Sequence, residues 1–237
     1  RAESGYADSR HPDRVDFLRE LAPDLARRDF TVNAMAADAA GAVTDLFGGQ
    51  DDLRRGVIRC VGDPAERFAE DALRMLRALR FAARLSFRID GETAAAIHAA
   101  RTRLRAVAPE RLHKELSGIL CGRQAAALLE EFSDVLFELI PELAPCQGFR
   151  QYNPHHTRDV WTHTLAVVDG VPPEEPLRLA ALLHDAGKPA TFFFDKNLVG
   201  HFYGHQAAGA AVTAEVLRRL RYDRATAEFV TQLVAVH

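Results

Sequence analysis

A mainly helical fold, opened by a small α+β segment and continued by two helical units, is what this sequence predicts. Three observations predict it. The apolar pattern alternates in the first sixty residues and turns helical from Asp63 almost to the end. Glycine and proline are sparse, 15 and 11 in 237 residues. The composition, 48% hydrophobic and 27% charged, is that of a globular chain long enough for more than one compact unit.

The elements follow in order. After a polar opening and a short "VDFLREL", the stretch "FTVNAMAADAAGAVTDLFGG" alternates around Ala40-Gly41 and predicts strands joined by a tight turn, closed by Gly48-Gly49. "GVIRCVGDP" predicts a second short strand ending in a turn. Asp63-Pro64 supplies a helix cap and a first-turn proline. Further helices are expected at 91–101, 109–121, 123–139, 159–169, 176–186, 206–220 and 224–237. "VPPEEP" is a rigid loop. "TFFFDKNLVGHFYG" reads as a hairpin turning at Asp195-Lys196-Asn197.

Net charge is −3, so any polyanion site must be a local patch. Cys60, Cys121 and Cys146 lie far apart, with no C-x-x-C pair, and read as buried or incidental thiols of a reducing compartment. No apolar run is long enough to cross a bilayer and no signal-peptide pattern is present, which makes the cytoplasm the expected location. The chain opens on Arg1 and stops at His237 inside an apolar pattern, so both ends read as cut.

The stretch "FAEDALRMLRALR" raises the first functional question. At about 100° per residue, Phe68, Ala72, Met75, Leu76, Leu79 and Ala83 share one face and Arg67, Glu70, Arg74, Arg77 and Arg84 the opposite one. Asp71 lies at the margin, one helical step from Arg67 and Arg74, and Arg80 on the other side of the charged face. One reading is a solvated face with Asp71 paired to Arg67 and Arg74. The other is recognition. Cytosine and adenine each present an amino donor beside a ring-nitrogen acceptor, which an adjacent carboxylate and guanidinium match and which guanine and uracil do not. The geometry permits both readings.

Upstream, "DLARRDFTVNAMA" sets two arginines and an Asp directly before a strand. With "RRDFTVNAMA" preceding "DLFGGQDDLRRGVIRCVGDPAERFAEDALRMLRALRFAARLSF", and with "PERLHKELSGIL" after it, the chain resembles the class II tRNA nucleotidyltransferase (CCA-adding) and bacterial poly(A) polymerase family. That resemblance implies a polymerase-β-like α+β head, a helical neck and a helical body. Residues 1–62 would be the C-terminal part of the head, 63–122 the neck and 123–237 the body. The implied partners are tRNA, CTP and ATP, with Mg²⁺ for nucleotidyl transfer. Arg28, with Asp29 and Asn33, would hold the sugar and phosphates; Asp71 and Arg74 would be the template pair for C and A; Arg77 and Arg80 would support the nucleotide. The family's G-G-x-V-R-D turn and its Asp-x-Asp pair, which bind two Mg²⁺ ions, are absent from these 237 residues. No catalytic carboxylate is therefore assigned, and the chain by itself is expected to be inactive in nucleotide addition.

Seven of the ten histidines fall in residues 155–237, so this half needs its own explanation. "WTHTLAVVDG" and "LAALLHDAGKP" place His163, then His184-Asp185 at the end of an apolar helix. Neutral imidazoles and a carboxylate suit a divalent transition metal that activates water. The H…HD order resembles the HD phosphohydrolase domain, with His205 and His237 matching later histidines of such domains, His201 less well, and a distal Asp expected beyond His237. His155 and His156 read as solvated. Two other functions stay open: a metal-dependent HD phosphohydrolase acting on nucleotide or RNA phosphate ends, and a non-catalytic RNA-binding subunit. The runs Arg101, Arg103, Arg105 and Arg218, Arg219, Arg221, Arg224 would serve the latter.

Overall fold

The computed structural model describes residues 2–6, 12–16, 21–152 and 158–237; His155 and His156 lie outside them. Strands β1 (Ala2–Tyr6) and β2 (Pro12–Asp16) pair antiparallel. Helix α1 (Leu21–Ala26) leads to a 3₁₀ turn at Thr31–Asn33. The expected hairpin follows as β3 (Met35–Ala37) and β4 (Val43–Asp45), with Gly41 at φ 85° in its turn. Helix α2 (Gly49–Arg55) starts where Asp45 accepts from the Gly49 and Gln50 amides.

Strand β5 (Val57–Ile58) pairs in parallel with β6 (Arg88–Ile89), a partner that no local pattern indicates. Residues 29–31 join the same layer, since Thr31 N donates to Arg59 O and Val61 N to Asp29 O. This seam fixes Arg28 and Asp29 beside the helices that follow.

The expected helix from Asp63 is two. In α3 (Pro64–Glu70), Asp63 caps the first turn through Ala65 N at 2.8 Å. The chain leaves helical geometry at Asp71 (φ −147°, ψ 105°) and restarts as α4 (Leu73–Leu85). Asp71 Oδ1 accepts from Leu73 N at 3.0 Å, and this local bond competes with the helix ladder. The apolar face is buried as its period predicts: Phe68 and Met75 are at 0% exposure, Leu76 and Leu79 at 2%. Helix α5 (Gly91–Ala100) is capped by Asp90, and α6 (Pro109–Leu120) packs along α4.

The expected helix at 123–139 also divides, into α7 (Ala125–Glu131) and α8 (Ser133–Leu139). Phe132 stands at the break, fully buried, with its ring stacked 4.8 Å from His98. Then come α9 (Val160–Gly170), α10 (Glu175–Leu183), α11 (Lys188–Thr191), the short hairpin β7 (Phe193–Phe194) and β8 (Gly200–His201), α12 (His205–Arg219) and α13 (Arg224–Val236). One continuous core runs from Phe30 through α4, α6 and α7 to Val230 and Val234 of α13. No described helix is long and apolar enough to cross a membrane. Burial pushes the Cys60 and Cys146 thiols up to about 12, which leaves them inert.

Gly122 lets the end of α6 close onto α4. A Cβ there would lie 2.4 Å from Ala83 Cβ and 2.7 Å from its carbonyl carbon, while Arg123 N donates to Ala83 O. Gly122→Ala is expected to destabilise the fold by about 1–3 kcal/mol. A urea midpoint equal to that of the wild type would show that the turn yields without cost.

Candidate functional site

Seven of the eight residues lining a cavity of about 440 Å³ between residues 28–33, α4 and α6 carry polar side chains: Arg28, Asp29, Asn33, Asp71, Arg74, Arg77 and Arg111. Six of them are site residues expected from the sequence. Four guanidiniums face two carboxylates, an excess of positive charge suited to a polyphosphate.

Each side chain is held by its neighbours. Asp29 is buried and accepts from Arg77 through Nε at 2.8 Å and a terminal nitrogen at 2.6 Å, and from Phe30 N at 2.9 Å. Asn33 Nδ2 reaches Asp29 Oδ1 at 3.4 Å. Asp29 therefore orients Arg77 across the seam, and Arg28 stays half-exposed at the mouth beside Asp24.

The ion pairs on the charged face differ from the simple helical expectation. Glu70, not Asp71, pairs with Arg67 and Arg74. The helix break turns Asp71 outward, so that Oδ2 accepts from Arg111 at 2.8 Å. Arg74 is further steadied by the carbonyls of Arg27 and Arg67. Arg111, forty residues from Asp71, escaped sequence reasoning; its position in the first turn of α6, facing α4, was the only signal. Arg80 lies outside this cavity. It pairs with buried Glu115, stacks 4.5 Å over Phe81 and lines an adjoining cavity of about 560 Å³ with Arg77, Arg84, Arg111 and Lys114.

The runs expected to serve an RNA backbone are largely engaged in ion pairs. Arg101 and Arg105 reach Glu138, Arg218 reaches Glu215, Arg219 reaches Glu142 and Arg224 reaches Glu228.

A second cluster surrounds Asp185, which is 1% exposed. His163 comes from α9, His184 caps the end of α10, His205 opens α12 and His237 follows α13. The turn carrying Asp185 presses on α12 so closely that a Cβ at Gly187 would sit 2.3 Å from His205 O. Asp185 Oδ2 lies 3.0 Å from His184 Nε2, 3.6 Å from His163 Nε2 and 2.8 Å from Lys188 Nζ. Oδ1 lies 3.7 Å from Nε2 of both His205 and His237. Burial pushes the Asp185 carboxyl upward, but His184 and Lys188 overcome this and hold it well below the usual carboxylate range. Burial lowers His205.

These residues fit a divalent metal. The Nδ1 atoms of His184, His205 and His237 lie 2.8–2.9 Å from the carbonyls of Ala181, Phe202 and Val234, three residues back in each case. Each contact makes Nδ1 a donor and turns Nε2 toward Asp185. Those Nε2 atoms stand 3.2 Å apart at His205 and His237, and 3.0 Å from a carboxylate oxygen at His184. Their lone pairs repel unless a proton or a metal ion sits between them; at His184 a proton makes the hydrogen bond that holds Asp185 low, and a metal ion would take that proton's place. Donors about 2.1 Å from a common ion stand about 3.0–3.4 Å from one another, close to the spacings around Asp185. Two triads share this carboxylate, His163–His184–Asp185 and Asp185–His205–His237. His163, His184, Asp185 and His205, expected as ligands, are thus brought together, and His237 joins them. His201 stands apart, paired with Asp195 at 3.1 Å.

Three family models match the chain in order: the poly A polymerase head domain over residues 1–59, the probable RNA and SrmB-binding site of polymerase A over 86–146, and the HD domain over 155–237. A CCA-adding enzyme of Ligilactobacillus salivarius is 42% identical over 170 residues, covering 68% of this chain and 42% of the relative. A solved tRNA-processing enzyme in an apo form superposes with a TM-score of 0.60 at 25% identity, covering 90% of this chain and 57% of that one. A tRNA-processing enzyme solved with CTP gives 0.56 at 26% identity, covering 88% and 53%. The chain thus spans under half the length of that curated relative and little more than half of those solved chains. With the three family models matched in order and relatives named as CCA-adding enzymes, the chain belongs to the family of CCA-adding nucleotidyltransferases and poly(A) polymerases with an HD domain.

Proposed function

We propose that this chain is the nucleotide-selecting and RNA-holding part of an enzyme that adds C and A to tRNA 3′ ends. One observation carries this reading: the Asp71 break and the Asp29 seam converge on a single cavity whose lining combines phosphate-binding arginines with an Asp/Arg pair. Arg28 and Arg77 hold the phosphates, Asp29 and Asn33 the sugar, and Arg80 supports the adjoining wall. Asp71 accepts the amino hydrogen of C or A while Arg74 donates to the ring nitrogen; guanine and uracil set donor against donor and acceptor against acceptor. Residues 1–62 would then belong to the head, 63–122 to the neck and 123–237 to the body. The Mg²⁺ ions of nucleotidyl transfer do not fit the residues present: the chain has no Asp-x-Asp, and the candidate metal clusters among the described residues are the two around Asp185. Its share of the reaction is selection. Calorimetric titration of the chain with the four nucleoside triphosphates tests this. CTP and ATP are expected to bind about tenfold or more tighter than UTP and GTP; equal affinities would overturn the reading.

A separate observation supports a second activity in the same chain, a metal-dependent phosphohydrolase at Asp185 acting on nucleotide or RNA phosphate ends. Three imidazoles tethered through Nδ1 present their Nε2 atoms to one buried carboxylate. A divalent transition metal held there would supply Lewis-acid chemistry for hydrolysis of a phosphate ester. His163, His184, Asp185, His205 and His237 would hold it. Lys188, buried, donates to Gln151 Oε1 at 2.9 Å and balances the charge of Asp185 at the cavity wall.

A further inference from the structure

The cavity over Asp185, about 430 Å³, has one wall that the metal chemistry does not use. On that side stands the β7–β8 hairpin. Its register sets Phe193 directly across from His201, and Tyr203, in the turn that follows β8, brings its ring to the same side. Their rings form a continuous group: Phe193 to His201 5.5 Å, His201 to Tyr203 5.2 Å, Phe193 to Tyr203 5.5 Å, two of the three stacked. The neighbouring Phe192 and Phe202 instead pack inward against Phe149. The outer rings serve no such core, with Phe193 43% exposed and Tyr203 74%.

Resting on the phosphohydrolase reading of Asp185, we infer that Phe193, His201 and Tyr203 form a stacking platform for the unpaired terminal base of an RNA phosphate end held in that cavity. Three features argue for this occupant. His201 and Tyr203 line the same cavity as His184, Asp185 and His205, so an ester whose phosphate sits at the cluster has its organic part against their rings. The platform is rigid before anything binds. Asp195 Oδ1 accepts from Asn197 N at 2.8 Å and Val199 N at 2.9 Å to close the turn, and Asp195 Oδ2 holds His201 at 3.1 Å. Stacking on a preset surface avoids the cost of ordering side chains. Finally, aromatic faces without a fixed hydrogen-bonding edge accept every base, as a site for single-stranded ends requires.

The test is a titration of the whole 237-residue chain, without added metal, with a short single-stranded RNA. The RNA carries 2-aminopurine as its last base and a terminal 2′,3′-cyclic phosphate. Wild-type protein is expected to quench the fluorescence. The double variant Phe193→Ala/Tyr203→Ala is expected to abolish the quench and weaken binding about tenfold or more. The same RNA with an abasic last residue, read by competition, should bind both proteins alike, and Tyr203→Phe should keep the quench. Equal weakening for both RNAs, or no change in the double variant, would overturn the platform. The hydrolytic reading fails separately: quenching that persists while Mn²⁺- or Ni²⁺-loaded protein cleaves neither RNA leaves the platform standing and removes the hydrolase.

Discussion

Asp71→Ala is expected to flatten nucleotide preference, cutting CTP and ATP affinity about 5–150-fold toward that of UTP and GTP, the worth of about 1–3 kcal/mol for one paired base edge. Direct titration of all four triphosphates measures it. The variant also removes the cap on Leu73 N, worth about 0.5–2 kcal/mol of stability. Asp71→Asn separates the two roles, because its carbonyl oxygen still caps α4 while its amide turns a donor toward the base. That variant is expected to fold like the wild type and to lose discrimination all the same. Arg111→Ala is expected to weaken selection without touching the cap, since Arg111 holds only Oδ2. Unchanged preference in Asp71→Asn would return this stretch to an ordinary charged helix face.

Asp185→Asn is expected to lower transition-metal affinity at least 100-fold, since both candidate triads share this one carboxylate. Elemental analysis of protein loaded with Mn²⁺, Ni²⁺ or Zn²⁺ and desalted gives the measurement. The change also strips buried Lys188 of its counter-charge, and unpairing a buried ion costs about 3–5 kcal/mol. Asp185→Asn/Lys188→Met is expected to recover most of that stability and none of the metal. Metal retained by the single variant at wild-type level would make the four histidines structural.

Much of this was legible in the chain because it is local. Asp63-Pro64 starts a helix where capping chemistry says it must, and the hairpin turns at Gly41 and Asp195 stand where turn residues stand. The H…HD order located His163, His184 and Asp185, and the Asp/Arg spacing marked α4. The misses have one cause. A period of 3.6 could not show that Asp71 breaks the helix, that Phe132 breaks the next, or that Glu70 takes the partners Asp71 was expected to have. Each of those outcomes depends on a competing bond or a buried ring outside the repeating pattern.

By itself, then, the sequence determined where most helices start and turn and which residues are candidates for chemistry, since caps, turns and apolar periods act over three or four residues. Only the tertiary structure decided what those residues face. It set Arg111 against Asp71 across forty residues, Arg77 against Asp29 across forty-eight, and the Nε2 atoms of His205, at the start of α12, and His237, just past α13, beside each other. Close packing of one continuous core sets those partners, because Phe30, Phe68 and Phe132 are buried in the same cluster as the apolar faces of α4 and α6.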